Sequence, residues 1–284
     1  MRKLPKRLLT IAAILLFALL IFAVATFTLY KSTPAWYAAP VDPDQRAALA
    51  QQAEEKVTET QNWATLLHGD AIRAERASAS SRPPPATRVT EAHEIRFSTD
   101  ELSALFDKWS ALNNWQSHYS RYVENPRLII QKDHLILAAD VKDLAAITSF
   151  HFAPRLDQQG QLHLDLVRVM GGRLPLPDML WQTQKDNLVQ QLESRIPAWR
   201  PSARIDADGA ASESAMWITL SRLVIRAAHN EPADPILFLP LTATSKSVPV
   251  KLTSLSLDDG ALTLQVQKLT PQERTALLAK LRTP

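Results

Sequence analysis

The stretch LHLDLVRVMGGRLPLPDMLW at 162–181 decides the fold, because it joins a strand pattern to a helix pattern. Leucine alternates with polar residues over its first third, as in a strand with one buried and one exposed face. Gly171 and Gly172 then let the backbone turn where a side chain would obstruct it. Pro175 and Pro177 then end sheet pairing because each lacks an amide donor, so the stretch predicts a strand-to-helix corner.

Alternating apolar residues on either side of this corner predict more antiparallel strands. The turn Asp-Asp-Gly at 258–260 separates two such runs and indicates a hairpin over 247–269. Polar turns indicate two more hairpins, over 127–141 and 146–169. The other predicted strands are 89–97, 202–209, 216–228 and 236–243.

Capping residues and apolar stripes predict the helices. Ser98 and Glu101 have the spacing of a capping box, and apolar residues then recur at three- and four-residue steps. Thr270 and Glu273 begin the last helix in the same way. Two further helices are predicted, over 42–68 and 178–196. The sequence therefore predicts an α+β fold, in which amphipathic helices pack on an antiparallel sheet.

An uncharged apolar run occupies 8–30 and follows a cluster of basic residues. About 20 apolar residues span the hydrocarbon core of a bilayer as a helix, and basic residues favour its cytoplasmic side. The run predicts a signal-anchor in the cell (inner) membrane, single-pass, with a cytoplasmic N-terminus and an extracytoplasmic, periplasmic main domain. A cleaved signal peptide is the alternative, because Ala23-Val24-Ala25 has the form of a cleavage site.

These features divide the chain into four parts: a basic tail at 1–7, the anchor at 8–30, a helix and Pro-rich linker at 31–87, and an α+β domain at 88–284. Three consecutive prolines at 83–85 define the linker, because they cannot continue a helix. The sequence leaves open whether residues 42–80 pack on the domain or form a stalk.

Composition excludes several classes of function. The chain has no cysteine, which removes disulfides, thiolate metal ligands and cysteine nucleophiles. Its net charge of +3 is small and comes partly from the N-terminal tail, so no nucleic-acid partner is expected. Hydrophobic residues make up 46% of the chain, which is enough to bury a substantial core.

Candidate catalytic and metal-binding groups do not form a recognisable pattern. His151 and His163 could face each other across a hairpin with Asp165 nearby, which would suit a metal, although polar residues on an exposed sheet face are the simpler interpretation. The sequence DADG at 206–209 begins like a calcium loop but lacks the later acidic ligands, so a turn is expected. No G-x-S-x-G or H-E-x-x-H motif occurs. We therefore expect no enzyme activity, cofactor or metal; a hydrolase with an unrecognised site stays an alternative.

Three motifs follow one another in the order found in a known family. They are FSTDELSALF at 97–106, GGRLPLPDMLW at 171–181 and LTSLSLDDGALTLQV at 252–266. In this order they resemble the YpmS-type group of membrane-anchored bacterial proteins of unknown function, which in turn are similar to tubular lipid-binding (TULIP-like) folds. The resemblance covers residues 88–268. It implies a curved antiparallel sheet and a lipid-binding module outside the membrane that is not an enzyme.

The expected function is to bind or handle a lipid or other hydrophobic envelope molecule beside the cell membrane, without catalysis. Apolar rows of the sheet would line the acyl groove, because lipid binding needs apolar walls and few polar anchors; an ordinary packed core is the alternative for these residues. The second hypothesis is an envelope assembly or scaffold protein that docks a protein partner through an edge strand or the helix at 42–68. The expected lipid-binding residues are Leu162, Leu164, Leu166, Leu262, Leu264 and Val266.

Overall fold

The computed structural model describes residues 24–37, 42–79, 90–112, 114, 116–142, 144–206, 208–241, 246–258 and 260–282. In this part of the chain the strands form two antiparallel sheets, and the helices pack around them. The strands are β1 (Ala92–Ser98), β2 (Val123–Gln131), β3 (His134–Val141), β4 (Ala146–Leu156), β5 (Leu162–Gly171), β6 (Leu174–Pro175), β7 (Ile236–Pro240), β8 (Ser247–Asp258) and β9 (Ala261–Lys268). The helices are α1 (Pro43–Ala79), α2 (Thr99–Leu112), α3 (Gln116–Tyr119), α4 (Asp178–Trp199), α5 (Glu213–Ala228) and α6 (Pro271–Arg282), with a 3-10 turn at Arg200–Ser202.

The first sheet has the strand order β1-β9-β8-β7. Its central hairpin, β8–β9, closes with Asp258 opposite Ala261, as the turn at 258–260 predicts. Strand β1 comes from the start of the domain and pairs along β9, from Ala92 opposite Gln267 to Ser98 opposite Ala261. The first sheet therefore joins the two ends of the domain.

The second sheet has the strand order β2-β3-β4-β5-β6. Each strand pairs with its neighbour along the chain, and β6 is only two residues long because the prolines after Arg173 limit pairing. The two sheets meet where β2 lies against the β8–β9 turn. The amide of Gly260 donates to the carbonyl of Ile130 at 3.2 Å, and the hydroxyl of Thr99 accepts from the amide of Ile130 at 2.9 Å.

Helix α1 packs on the first sheet and is part of the same core. Trp63, Ala64 and Leu67 are buried against Val250 of β8 and Val266 of β9. Polar contacts add to this attachment, because Lys56 of α1 donates to both carboxylate oxygens of Glu101 of α2, at 2.7 and 2.8 Å. The question left open by the sequence is thus answered: residues 43–79 pack on the domain.

A second core lies between the last three long helices. Ile196 of α4, Ile218 of α5 and Leu277 and Leu281 of α6 are all buried there. Helix α5 also contacts strand β5, so it connects this core to the second sheet. Four buried apolar side chains from three helices hold this part of the fold together by the hydrophobic effect.

Residues 24–37 lie on the second sheet. The segment is helical at 24–31, and its last residues, Trp36 and Tyr37, cover Ile129, Ile136 and Ala138 on the sheet. The hydroxyl of Tyr37 donates to the carbonyl of Asn125 at 2.7 Å. At this face the sheet is therefore shielded from water by the N-terminal segment.

The prediction of a membrane anchor is not supported. Of the predicted span at 8–30, residues 8–23 lie outside the described residues, as does the basic tail at 1–7. None of the described helices has both the length and the apolar composition that crossing a bilayer requires. The predicted single-pass location in the cell (inner) membrane, with a cytoplasmic N-terminus and an extracytoplasmic, periplasmic main domain, depended on that span and is corrected with it. The described end of the run contacts the turn between β5 and β6, where the amide of Arg173 donates to the carbonyl of Leu29 at 3.0 Å.

The predicted single curved sheet is also wrong, because the strands divide into two sheets. The reason is that β1 pairs with β9, whereas β2 begins a separate meander that ends at β6. Helices then cover each sheet at different places: α1 covers the first, and α5 contacts the second.

Two predicted strands of the last third are not strands. The segment 216–228 lies in helix α5, and among the described residues of 202–209 only Ile205 forms a bridge, with Ala211. Ser212 begins α5 by accepting the amide of Ala215 at 3.3 Å. Helix α5 contacts α4, α6 and β5, and its Ala215, Ile218 and Ala227 are buried.

Candidate ligand-binding cleft

Four of the six residues expected to line a lipid groove lie in or beside the core under helix α1, called the first core here. Leu162 and Val266 are buried, at 4% and 0% exposure, in the cluster that contains Trp63. Leu164 and Leu264 pack against that cluster. Leu262 is half-buried opposite Phe97 and Leu257, and Leu166 is half-buried opposite Phe152. None of the six lines the cleft described below.

The alternative metal site is not assembled. His151 lies opposite Arg168 in the β4–β5 pair, whereas His163 lies opposite Arg155. The ring of His163 instead contacts the carboxylate of Asp157, with Nε2 at 3.0 Å from Oδ2. Within the described ranges no three His, Asp or Glu side chains come together as a metal site would require. The DADG segment is a turn whose Asp206 is bound by Lys246, with 2.7 Å between Oδ2 and Nζ.

A cleft of about 680 Å³ opens between helices α4, α5 and α6 and the loop 231–234. The apolar part of its lining, called the floor below, consists of Ile196, Leu277 and Leu281 of the second core and of the half-buried Leu223. The volume lies within the range of about 300–1,000 Å³ that small-molecule sites occupy.

Cationic side chains also line the cleft. Arg222 and Arg226 lie four residues apart on α5, so they project from the same face of the helix. Arg200 enters the cleft from the 3-10 turn after α4, and Lys280 from the last turn of α6. Burial lowers the pKa of Arg222, and the neighbouring charges of Arg200 and Arg226 lower it further, against a smaller opposite effect of Asp234.

Two arginines are held by backbone carbonyls. Arg222 Nη1 donates to the carbonyl of Lys280 at 2.7 Å, and Arg226 Nη1 donates to the carbonyl of Pro232 at 2.7 Å. The first bond satisfies a carbonyl in the last turn of α6, where the helix has no donor of its own. These bonds hold the two guanidinium groups at the wall of the cleft.

The loop 231–234 closes one side of the cleft and is held by Leu162, one of the residues predicted to bind lipid. Leu162 and Ala233 exchange two backbone hydrogen bonds, of 2.9 and 2.8 Å. Asp234 receives Lys280 at 2.6 Å, which ties the loop to α6. Leu162 therefore contributes to the cleft through its backbone, while its side chain belongs to the first core.

Sequence reasoning missed this cleft because the segment 216–228 was interpreted as a strand. The spacing of Arg222 and Arg226 does not separate the two interpretations, because residues four apart share a face in a strand as well as in a helix. The combination of Ser212 and Glu213 ahead of the run is a helix start and could have indicated the helix.

Comparison with protein-family models gives no match, and comparisons with curated proteins and with solved structures give none either. The resemblance to the YpmS-type group and to TULIP-like folds therefore stays a hypothesis. Any function must be argued from the geometry of the chain itself.

Proposed function

We propose that the protein binds a lipid or another amphiphilic molecule in the cleft between α4, α5 and α6, without converting it chemically. The observation that carries this proposal is the combination of an apolar floor, formed by Ile196, Leu223 and Leu277, with arginines above it. An amphiphile matches both parts, because its chain can cover the floor while its polar end stays with the charges.

The energy for binding would come from shielding apolar surface. Each buried methylene contributes about 0.8 kcal/mol, so a chain of several methylenes over the floor supplies a useful affinity. Leu277 and Leu281 of the floor belong to the second core, which keeps this surface rigid and reduces the free energy lost in ordering it.

The polar groups of the cleft suit binding better than proton transfer. Arg200, Arg222 and Arg226 supply N–H donors, and a guanidinium stays protonated in proteins and cannot act as a general base. The acidic Asp234 already receives the ammonium of Lys280. Glu193 and Glu231 are exposed at the rim.

Filling the cleft tests the proposal. Thr219 is half-buried and lines the cleft. Its neighbour Leu220 is 44% exposed and does not line the cleft. We expect Thr219→Trp to weaken binding of a fluorescent long-chain amphiphile at least tenfold by occupying the space, with Leu220→Trp as the matched control. The affinity would be measured by fluorescence titration, and both variants would be checked for folding by circular dichroism.

Two results would contradict the proposal. One is a wild-type protein that binds no single-chain amphiphile, charged or neutral; the other is equal affinity in wild type and folded Thr219→Trp. The scaffold hypothesis, with docking through an edge strand or the helix at 42–68, is not addressed by this experiment and stays a prediction.

A further inference from the structure

The N-terminal segment 24–37 is attached to the second sheet apart from the two cores. Trp36 and Tyr37 cover a separate cluster of three buried residues, and among the described side chains neither core includes one from this segment. Farther along the segment, the carbonyl of Leu29 accepts a hydrogen bond from the amide of Arg173 at 3.0 Å. The strands pair with one another and not with the segment, so its detachment leaves the pairing of both sheets as it is.

A buried histidine lies beneath the end of the segment. His151 of β4 is 1% exposed, and its ring meets the ring of Trp36 edge-on, with centroids 5.6 Å apart. Its Nε2 lies 3.1 Å from the hydroxyl of Ser149, whereas its buried Nδ1 has no hydrogen-bond partner in the part of the chain that the structure describes. A neutral imidazole has one N–H donor, but an imidazolium has two. Protonation would therefore bury a donor and a charge without a partner for either.

The charged groups around His151 also oppose its protonation. Arg168 lies opposite it on β5, and His134 belongs to the neighbouring strand β3. Burial is the largest cause, and together with the charges of these two residues it lowers the pKa of His151 from 6.5 to about 4. No described carboxylate forms an ion pair with His151. The other charged or titratable groups near the end of the segment act on one another, and they are Tyr37 itself, Arg127 of β2 and Asp140 of β3.

We propose that the segment 24–37 is a pH-operated latch, which detaches from the second sheet when His151 is protonated in acidic solution. Detachment lets water reach both nitrogens of the ring, so the charge and the second donor are no longer buried. It also uncovers the apolar residues Ile129, Ile136 and Ala138 of the sheet. The latch lies outside the cleft between α4, α5 and α6, so this inference does not depend on the proposed function.

Proton binding determines how strongly pH acts on the latch. The pKa of His151 is about 4 beneath the attached segment, and we expect the ordinary value of 6.5 once the segment has left. The detached state thus binds one more proton between these two values, so a falling pH favours detachment over this range. From pH 7.5 to pH 5 the equilibrium constant for detachment is expected to rise about 30-fold.

Hydrogen exchange of two neighbouring amides measures detachment. The amide of Arg173 donates to Leu29 and is protected by the segment, whereas the amide of Gly172 donates to the carbonyl of Ile147 at 2.7 Å and is protected by the sheet. Exchange is followed by NMR in the full-length protein at pH 7.5 and pH 5, and each rate is compared with the intrinsic rate at the same pH. We expect the protection of Arg173 to fall about 30-fold and to lie at least tenfold below that of Gly172 at both pH values.

Matched variants assign the effect to the histidine. In His151→Gln the protection of Arg173 should change less than about threefold between the two pH values, because glutamine does not titrate there. The control, His134→Gln, removes the neighbouring histidine of β3 and should keep a change of at least about tenfold. Trp36→Ala leaves His151 in place but removes the ring above it, and it should lower the protection of Arg173 at pH 7.5 at least about tenfold. This variant decides the question if His151→Gln does not fold.

Four results would overturn the latch. They are protection of Arg173 that is the same at pH 7.5 and pH 5, a wild-type pH dependence in folded His151→Gln, and unchanged protection in Trp36→Ala. The fourth is equal protection of Arg173 and Gly172 at both pH values, because the segment would then leave only when the sheet itself opens.

Discussion

The ring of Tyr30 lies directly against Gly171, so that a Cβ placed on this glycine would be 2.5 Å from Tyr30 Cε2. The next residue, Gly172, meets the backbone of the same segment and has a φ of +58°. The two glycines therefore do more than turn the chain between β5 and β6. They leave room for the N-terminal segment 24–37 to lie on the second sheet.

Replacing Gly172 tests this docking. In Gly172→Ala the new methyl would overlap the carbonyl oxygen of Tyr30, and the left-handed backbone adds about 1–2 kcal/mol of strain. We expect a loss of about 2–5 kcal/mol in the free energy of unfolding, measured by urea denaturation. Gly160→Ala is the control, because Gly160 also has a positive φ, of +71°, but nothing within 4 Å of its Cβ position. Equal losses in the two variants would contradict the close approach of Tyr30.

Two of the ion pairs between α1 and α2 should differ in strength. Glu101 is 6% exposed, binds Lys56 through both oxygens and also accepts the amide of Ser98. Burial alone would raise the pKa of Glu101, but the bonds from Lys56 and Ser98 outweigh it and the pKa is lowered. By contrast, Glu54 and Lys108 form an exposed pair at 2.6 Å.

We expect Glu101→Ala to cost about 2–4 kcal/mol and Glu54→Ala at most about 1 kcal/mol. Because the folded-state pKa of Glu101 is lowered, its contribution is complete above the ordinary range of a glutamate. It is lost as the pH falls through the lowered pKa. Urea denaturation at neutral pH and at about pH 4 measures both effects. Equal losses in the two variants would show that the buried pair is no stronger than the exposed one.

The hairpins were predictable because their signals are local. Alternation and polar turns near 132, 159 and 259 indicate β2–β3, β4–β5 and β8–β9, and these pairs form. The capping boxes at Ser98 and Thr270 likewise begin α2 and α6, with reciprocal bonds in each. Local chemistry decides these features, so one sequence is enough to find them.

Which strands share a sheet was not predictable, because that depends on contacts between distant segments. Nothing in the alternation of 89–97 indicates that it pairs with β9 and not with β2, which follows it more closely. The cleft was missed for the same reason. Its walls come from α4, α5, the loop 231–234 and α6, and an apolar run such as 216–228 fits a strand or a buried helix equally well.

Helix α1 should contribute to stability through one face only. Trp63 is 6% exposed, stacks on His93 with ring centroids 5.1 Å apart, and donates from Nε1 to the carbonyl of Thr90 at 3.1 Å. We expect Trp63→Ala to cost about 3–5 kcal/mol. Leu66, one turn on and 51% exposed, is the control, and Leu66→Ala should change stability by less than about 0.5 kcal/mol. A small effect of Trp63→Ala would mean that α1 is not part of the core.

His151 makes stability depend on pH beneath the N-terminal segment. The residue is 1% exposed, its Nε2 lies 3.1 Å from the hydroxyl of Ser149, and its ring meets the edge of Trp36. Its Nδ1 has no hydrogen-bond partner among the described residues. Burial lowers the pKa of His151 from the ordinary value of 6.5 to about 4, and the charges of Arg168 and His134 act in the same direction.

The unfolded chain therefore binds one more proton than the folded protein between about pH 4 and 6.5, so stability falls as the pH is lowered through this window. The expected loss from this group is about 2–3 kcal/mol, complete near pH 4. We expect His151→Gln to flatten the dependence over this window, whereas His229→Gln, at an exposed position, should leave it unchanged. The measurement is urea denaturation at half-unit pH steps. A His151→Gln variant whose curve stays parallel to wild type would show that this histidine is not the group that titrates.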